Sequence, residues 1–315
     1  MSRMELTRRD FLKGSAVAMA GLSLGFPAEA GTVPDVQGLV PKTMRRGIID
    51  TNIHLGRWPA RRLPLDETEK LVKRLRTLGV KQAWAGTYDG AFHKDVAAAN
   101  ERLTEECRRV GRGFLLPFGT LNPRLPAWDS DLARCQEEHR MPGIRLYPGY
   151  HDYTLNDDLT HALLKQVNDR GLILQLVIAM EDERAQHPRF RVPAVDLKPL
   201  TALLESHPGL RVILLNWWRS LRGALLSNLA RTGQVYFDIA TLEGVAGIST
   251  LLKQIPAERI LFGSHAPFFY PESAVLKLQE SDLSAEDLRL ICWRNAEALS
   301  GRPVASGRQS NSIVF

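Results

Sequence analysis

Gly47-Ile48-Ile49-Asp50-Thr51-Asn52-Ile53-His54 opens the folded part of a chain of 315 residues. Apolar, β-branched residues begin the run and polar ones finish it, the pattern of a buried strand that delivers side chains to a site. Seven more runs of this kind follow, at 80–87, 113–119, 143–147, 172–178, 211–216, 234–239 and 259–263. Between and after them, helical periodicity fills 65–78, 94–110, 131–138, 159–170, 196–207, 222–231, 245–254 and 284–299. Strand and helix patterns in strict alternation predict an α/β fold with a parallel sheet. Eight such units in about 250 residues predict a single (β/α)8 TIM barrel over 46–301. A doubly wound open sheet is the rival, but no Gly-x-Gly-x-x-Gly follows the first strand.

Hydrophobic residues make up 44% of the chain and charged residues 24%, the balance of a soluble globular protein rather than a disordered, collagenous or disulfide-scaffold one. The net charge of +6 arises from 41 basic and 35 acidic side chains scattered along the sequence. Nucleic-acid binding would need a basic stripe, and none is visible. Cys107, Cys135 and Cys292 are far apart, odd in number and without a Cys-x-x-Cys, so at most one bridge is expected and no zinc cluster.

Residues 1–30 read as an export signal. Thr7-Arg8-Arg9-Asp10-Phe11-Leu12-Lys13 precedes a weakly apolar run from Gly14 to Phe26, and Ala28-Glu29-Ala30 supplies small residues for cleavage after Ala30. This is a twin-arginine signal, with the Tat machinery as the implied partner and the periplasm as the destination. An amphipathic anchor is the alternative, but the apolar run is too short to span a bilayer. Residues 31–45 are expected to be an extended lead-in, and 302–315, rich in Ser, Gly, Arg and Asn, a loose tail.

In a barrel of this type the chemistry gathers at the C-terminal strand ends. Those ends carry Asn52 and His54, Arg145 and Tyr147, Glu181 to His187, Asn216 and Trp217, and Ser264-His265-Ala266-Pro267. The first and eighth strands of a closed barrel are neighbours, which would bring His54 and His265 together. With His187 they would make three imidazoles, enough for zinc or another divalent metal with one open position; a hydrogen-bonded pair without metal is the preferred alternative. Arg145 offers a planar fork to a carboxylate, with the Tyr147 hydroxyl beside it, so a small acidic substrate is expected. The competing reading pairs Arg145 with Glu181 or Asp182. Asp50 is expected to brace the first-strand turn, and Trp217 and Trp218 either to touch substrate or only to cap the barrel.

Four runs stand in barrel order: Ile49-Asp50-Thr51-Asn52-Ile53-His54, Gly143-Ile144-Arg145-Leu146-Tyr147-Pro148, Ile260-Leu261-Phe262-Gly263-Ser264-His265-Ala266-Pro267 and Arg294-Asn295-Ala296. Together they resemble the amidohydrolase superfamily, specifically the amidohydrolase-related branch that includes aminocarboxymuconate-semialdehyde decarboxylase. The resemblance implies a metal site of His-x-His on the first strand, His after the fifth and sixth, and Asp after the eighth. At these places this chain has Asn52 with His54, Gln175 and Val177, Asn216, and His265. A carboxamide is a poor zinc ligand, so a standard site is not expected.

The resemblance then implies hydrolysis of a C–O or C–N bond of a small acidic molecule, a reaction that some lactonases of the branch perform without metal. His265 would be the general base and His54 its catalytic partner, with Asn52 and Asn216 donating to a developing oxyanion. Arg145, Tyr147, Glu181, His187, Asn216 and Trp217 would contact substrate. A catalytically inactive barrel that binds a small molecule or partner protein is the alternative, and decarboxylation ranks third. Homo-oligomerisation is compatible with such a barrel.

Overall fold

A computed structural model describes residues 47–232 and 234–301. The export signal, the lead-in and the tail expected from the sequence lie outside the described residues. The strands are β1 Ile48–Leu55, β2 Val80–Thr87, β3 Leu115–Pro117, β4 Gly119–Thr120, β5 Gly143–Leu146, β6 Ile173–Val177, β7 Arg211–Leu215, β8 Val235–Asp238 and β9 Ile260–Leu261. All pair in parallel, as one ladder of β1, β2 and β3 and one running from β4 to β9.

Backbone hydrogen bonds join the two ladders into a closed barrel. Phe118 N–H donates to Ala85 O at 2.9 Å, so β3 and β4 are halves of one barrel strand. Pro117 has no N–H to give the ladder, which explains why the run expected at 113–119 breaks there. On the other side Thr51 N–H donates to Phe262 O, His265 N–H to Asn52 O and His54 N–H to Ala266 O, at 2.8–2.9 Å. The eighth barrel strand is thus regular for only two residues, yet its irregular continuation holds β1 as far as Ala266. The α/β barrel expected from the alternation is the fold observed, with the third strand split.

The longer helices bury one stripe each, as their periodicity requires. Helix Thr68–Thr77 turns Thr68, Leu71, Val72 and Leu75 inward, the spacing of one helical face. Asp95 caps Val96–Gly111 by accepting from Ala98 N–H at 2.9 Å, and Ser284 with Asp287 forms a capping box at Ala285–Arg289. Helices Tyr88–Phe92, Pro148–His151 and Glu272–Gln279 were not expected from the pattern. Cys107, Cys135 and Cys292 are free and buried. Among the described residues no helix is long and apolar enough to cross a membrane.

Candidate functional site

The strand ends meet in a fully buried polar network. His54, at the end of β1, lies 3.2 Å from Arg145 Nη1 through its Nε2. A guanidinium can only donate, so Nε2 accepts and Nδ1 carries the hydrogen. That Nδ1–H is buried without a partner. Burial first, then the charge of Arg145, holds the pKa of His54 well below the usual histidine range, so the ring is neutral.

His265 sits at φ +56°, a left-handed conformation that few side-chain-bearing residues adopt. Its Nε2–H donates to Met180 O at 2.9 Å, and its Nδ1 faces Asn216 Nδ2 at 3.3 Å. The amide orientation of Asn216 is fixed by its other bonds, since Nδ2 donates to Ala179 O and Oδ1 accepts from Asn52 Nδ2. Both nitrogens of His265 are therefore engaged. Burial pulls its pKa down to about 4. The two imidazoles do come together, with centroids 5.6 Å apart and planes at 78°, but their nitrogens serve different partners.

Asn52 links both histidine neighbourhoods to two carboxylates. Its Nδ2 donates to Asn216 Oδ1 at 2.9 Å and to Asp238 Oδ2 at 2.6 Å, and its backbone N–H donates to Asp50 Oδ1. Asp238 accepts from Asn216 N–H as well, and burial raises its pKa to about 6. Asp50 Oδ1 also accepts from Ser264 N–H, which ties β1 to the segment after β9. Its Oδ2 has no partner, and burial raises its pKa to about 7. A carboxyl tuned to that range went unnoticed in the sequence, where Asp50 reads only as a brace.

Several expectations are corrected by these contacts. Arg145 is not an open fork. Its Nε donates to Gln175 Oε1 at 2.7 Å, Nη1 to Ile53 O and His54 Nε2, and Nη2 to Trp84 O, with Tyr147 taking a further bond. Five N–H groups thus meet five internal acceptors. Nor does Arg145 pair with the loop after β6. Glu181 pairs with Arg61, and Asp182 with Arg184 and Arg219. Gln175 is a strut that also donates to Thr51 O. Tyr147 is fully buried and donates weakly to Thr87 O, its pKa pushed up to about 12 by burial. Trp217 is a buried wall residue whose Nε1–H is spent on Asp238 O at 2.8 Å. His187 is exposed on the loop after β6, where its Nδ1 accepts from Arg189 N–H. It does not join His54 and His265, and no group of three His, Cys, Asp or Glu among the described residues is placed to hold a metal ion.

Above this network lies an aromatic cover that the sequence did not announce. Trp58 packs edge-on against Tyr88, Phe92, Tyr150, Phe190 and Phe268, with centroids 4.9–6.2 Å away. Tyr88 in turn stacks on His54 at 5.1 Å, and Phe268 on His265 at 5.0 Å. An aromatic residue just past several strand ends was the available signal.

Fold and site together define a parallel α/β barrel with a polar centre at its C-terminal strand ends. The chain belongs to the Amidohydrolase family, whose model matches residues 49–302. A twin-arginine translocation pathway signal matches residues 5–25, which directs export through the Tat machinery to the periplasm. None of the curated proteins matches the chain. Among solved structures, a putative amidohydrolase from Staphylococcus aureus superposes with a TM-score of 0.62 at 14% identity, covering 81% of this chain and 99% of that one. 2,6-Dihydroxybenzoate decarboxylase from Rhizobium gives 0.61 at 16%, covering 80% and 99%. A dihydroxybenzoic acid decarboxylase from Polaromonas with bound manganese gives 0.63 at 16%, covering 81% and 97%. At such identities these likenesses speak for the fold.

Proposed function

We propose that this exported barrel works without a resident metal and binds a small molecule in the periplasm. The observation that supports this reading is the commitment of the histidine nitrogens. Both nitrogens of His265 and one of His54 are bonded inside the protein to unrelated partners, so the pair does not converge on one water. A catalytic pair would need that convergence.

The metal positions implied by the family resemblance are degenerate in this reading. Asn52, Gln175 and Asn216 stand where imidazoles are sought, and each carboxamide N–H2 already donates to protein oxygens. Such a donor set does not fit zinc or manganese. Protein recovered from the periplasm is therefore expected to contain no stoichiometric divalent metal by elemental analysis, and chelator is expected to leave its Tm unchanged. One metal per chain, lost in His265→Ala, would overturn the metal-free reading.

Hydrolysis of a C–O or C–N bond is the second reading, and a specific observation favours it. The buried Asp50 carboxyl, with one unpartnered oxygen and a pKa near 7, is tuned as general bases are. Decarboxylation, named for two of the solved relatives, ranks below both for want of metal donors. A panel of lactones, esters and amides decides between binding and hydrolysis. The binding reading predicts compounds that raise Tm with no turnover. Turnover that drops at least about a hundredfold in Asp50→Asn or His265→Ala would replace it with hydrolysis.

A further inference from the structure

The aromatic cover has a charged component. Glu181, in the loop after β6, has a side chain only 2% exposed, and its Oε2 has no partner. Its carboxylate lies close enough to the rings that its charge, after burial, helps raise the Tyr150 phenol. The other oxygen is held by Arg61, which reaches in from the loop after β1 with 47% of its side chain still exposed. The Arg61 guanidinium also lies 5.0 Å over the Phe268 ring.

A cation laid over an aromatic face and paired to a buried carboxylate is how proteins recognise organic cations. Here the cation is one of the protein's own, on a long side chain that is half in solvent and gives up rotamer freedom to sit there. Desolvating the buried carboxylate and ordering the long side chain offset much of the Coulombic gain of this pair, so a ligand that brings its own cation competes with Arg61 for Glu181. Trp58 Nε1–H and the Tyr88 hydroxyl are buried in the same ring cluster without partners, and a ligand hydroxyl or carbonyl would satisfy them.

We infer that the ring cluster of Trp58, Tyr88, Phe92, Tyr150, Phe190 and Phe268, with Glu181 at its edge, is a binding site for a small organic cation bearing a hydroxyl or carbonyl, for which Arg61 is the internal stand-in. The inference rests on the binding reading above and gives the ligand a charge opposite to the one expected from Arg145.

Isothermal titration with choline and with its uncharged isostere 3,3-dimethyl-1-butanol tests it, on wild type, Arg61→Ala and Glu181→Gln, each checked for folding by thermal denaturation. Choline is expected to bind Arg61→Ala at least about tenfold more tightly than wild type, because the internal competitor is gone. Glu181→Gln is expected to lose at least about tenfold, and the isostere to bind at least about tenfold more weakly than choline. Choline binding no tighter to Arg61→Ala than to wild type, or absent from both, overturns the cation site. Equal binding of the isostere also overturns it while leaving the barrel a binding protein. Hydrolysis of acetylcholine in the same samples would instead sink the binding reading and leave the cation site in place.

Discussion

Gly86→Ala is expected to cost the barrel about 3–5 kcal/mol, measured by urea denaturation. A Cβ at this position on β2 would lie 2.6 Å from Nη1, 2.7 Å from Cδ and 2.9 Å from Cζ of Arg145. The backbone of Gly86 does not need the freedom of glycine; the space does. Elsewhere the end of an arginine would swing away from such a clash at small cost. In this interior it is pinned by Gln175, Ile53, His54, Trp84 and Tyr147, so a shift that relieves the overlap strands buried acceptors. Overpacking by one methyl costs roughly 1–3 kcal/mol, and each buried group left unpaired about 1–3 kcal/mol more. A double-mutant cycle assigns the cause. In an Arg145→Met background the flexible, shorter side chain gives way, and Gly86→Ala is expected to cost less than about 1 kcal/mol. An equal cost in both backgrounds would mean that the Arg145 contact is not what the glycine protects.

The same arginine shows where a sequence stops being legible. Gly143-Ile144-Arg145-Leu146 correctly reads as a strand that ends at the site, because a short apolar run around one charge, bounded by Pro142-Gly143 and Pro148, is too short for a helix. What Arg145 holds is a different matter. Apart from Tyr147, its partners come from 30 to 92 residues away, and nothing local distinguishes a fork awaiting a carboxylate from one already filled by internal acceptors. The meeting of His54 and His265 was readable from barrel closure, whereas the direction of their nitrogens depended on Arg145, Asn216 and Met180. His187 misled because a dense polar run looks like a site even when its imidazole merely accepts from Arg189 two residues on. The aromatic cover draws its rings from five separate segments that follow strands, some looped and some in helices of a turn or so, none with a periodic signal. Helices Tyr88–Phe92 and Pro148–His151 are five and four residues long, too short to show a period.

Asp50→Asn is expected to gain stability over wild type progressively as pH rises from about 4 to 7, reaching on the order of 4 kcal/mol. Burial lifts the Asp50 carboxyl from 3.8 to about 7, against the opposing pull of its bonds from Ser264 and Asn52. Across that window the folded wild type holds a proton that the unfolded chain releases, so its stability falls as pH rises and stops falling above 7. The shift is about three units at roughly 1.4 kcal/mol each, which sets the magnitude. Asparagine does not titrate, and its Oδ1 can accept the same two backbone N–H groups. Its amide nitrogen falls where Oδ2 has no partner, a cost independent of pH that cancels when the difference is followed. His54 and His265, with depressed pKa values, titrate in the opposite sense over much of this range, and Asp238, raised to about 6, in the same sense, so the wild-type curve is a composite. Only the difference between the two proteins isolates Asp50. Urea denaturation of both at pH 4.5, 5.5, 6.5 and 7.5 measures it. Parallel curves would mean that Asp50 is ionised in the fold throughout, and the support that a proton-carrying carboxyl lends to hydrolysis would go with it.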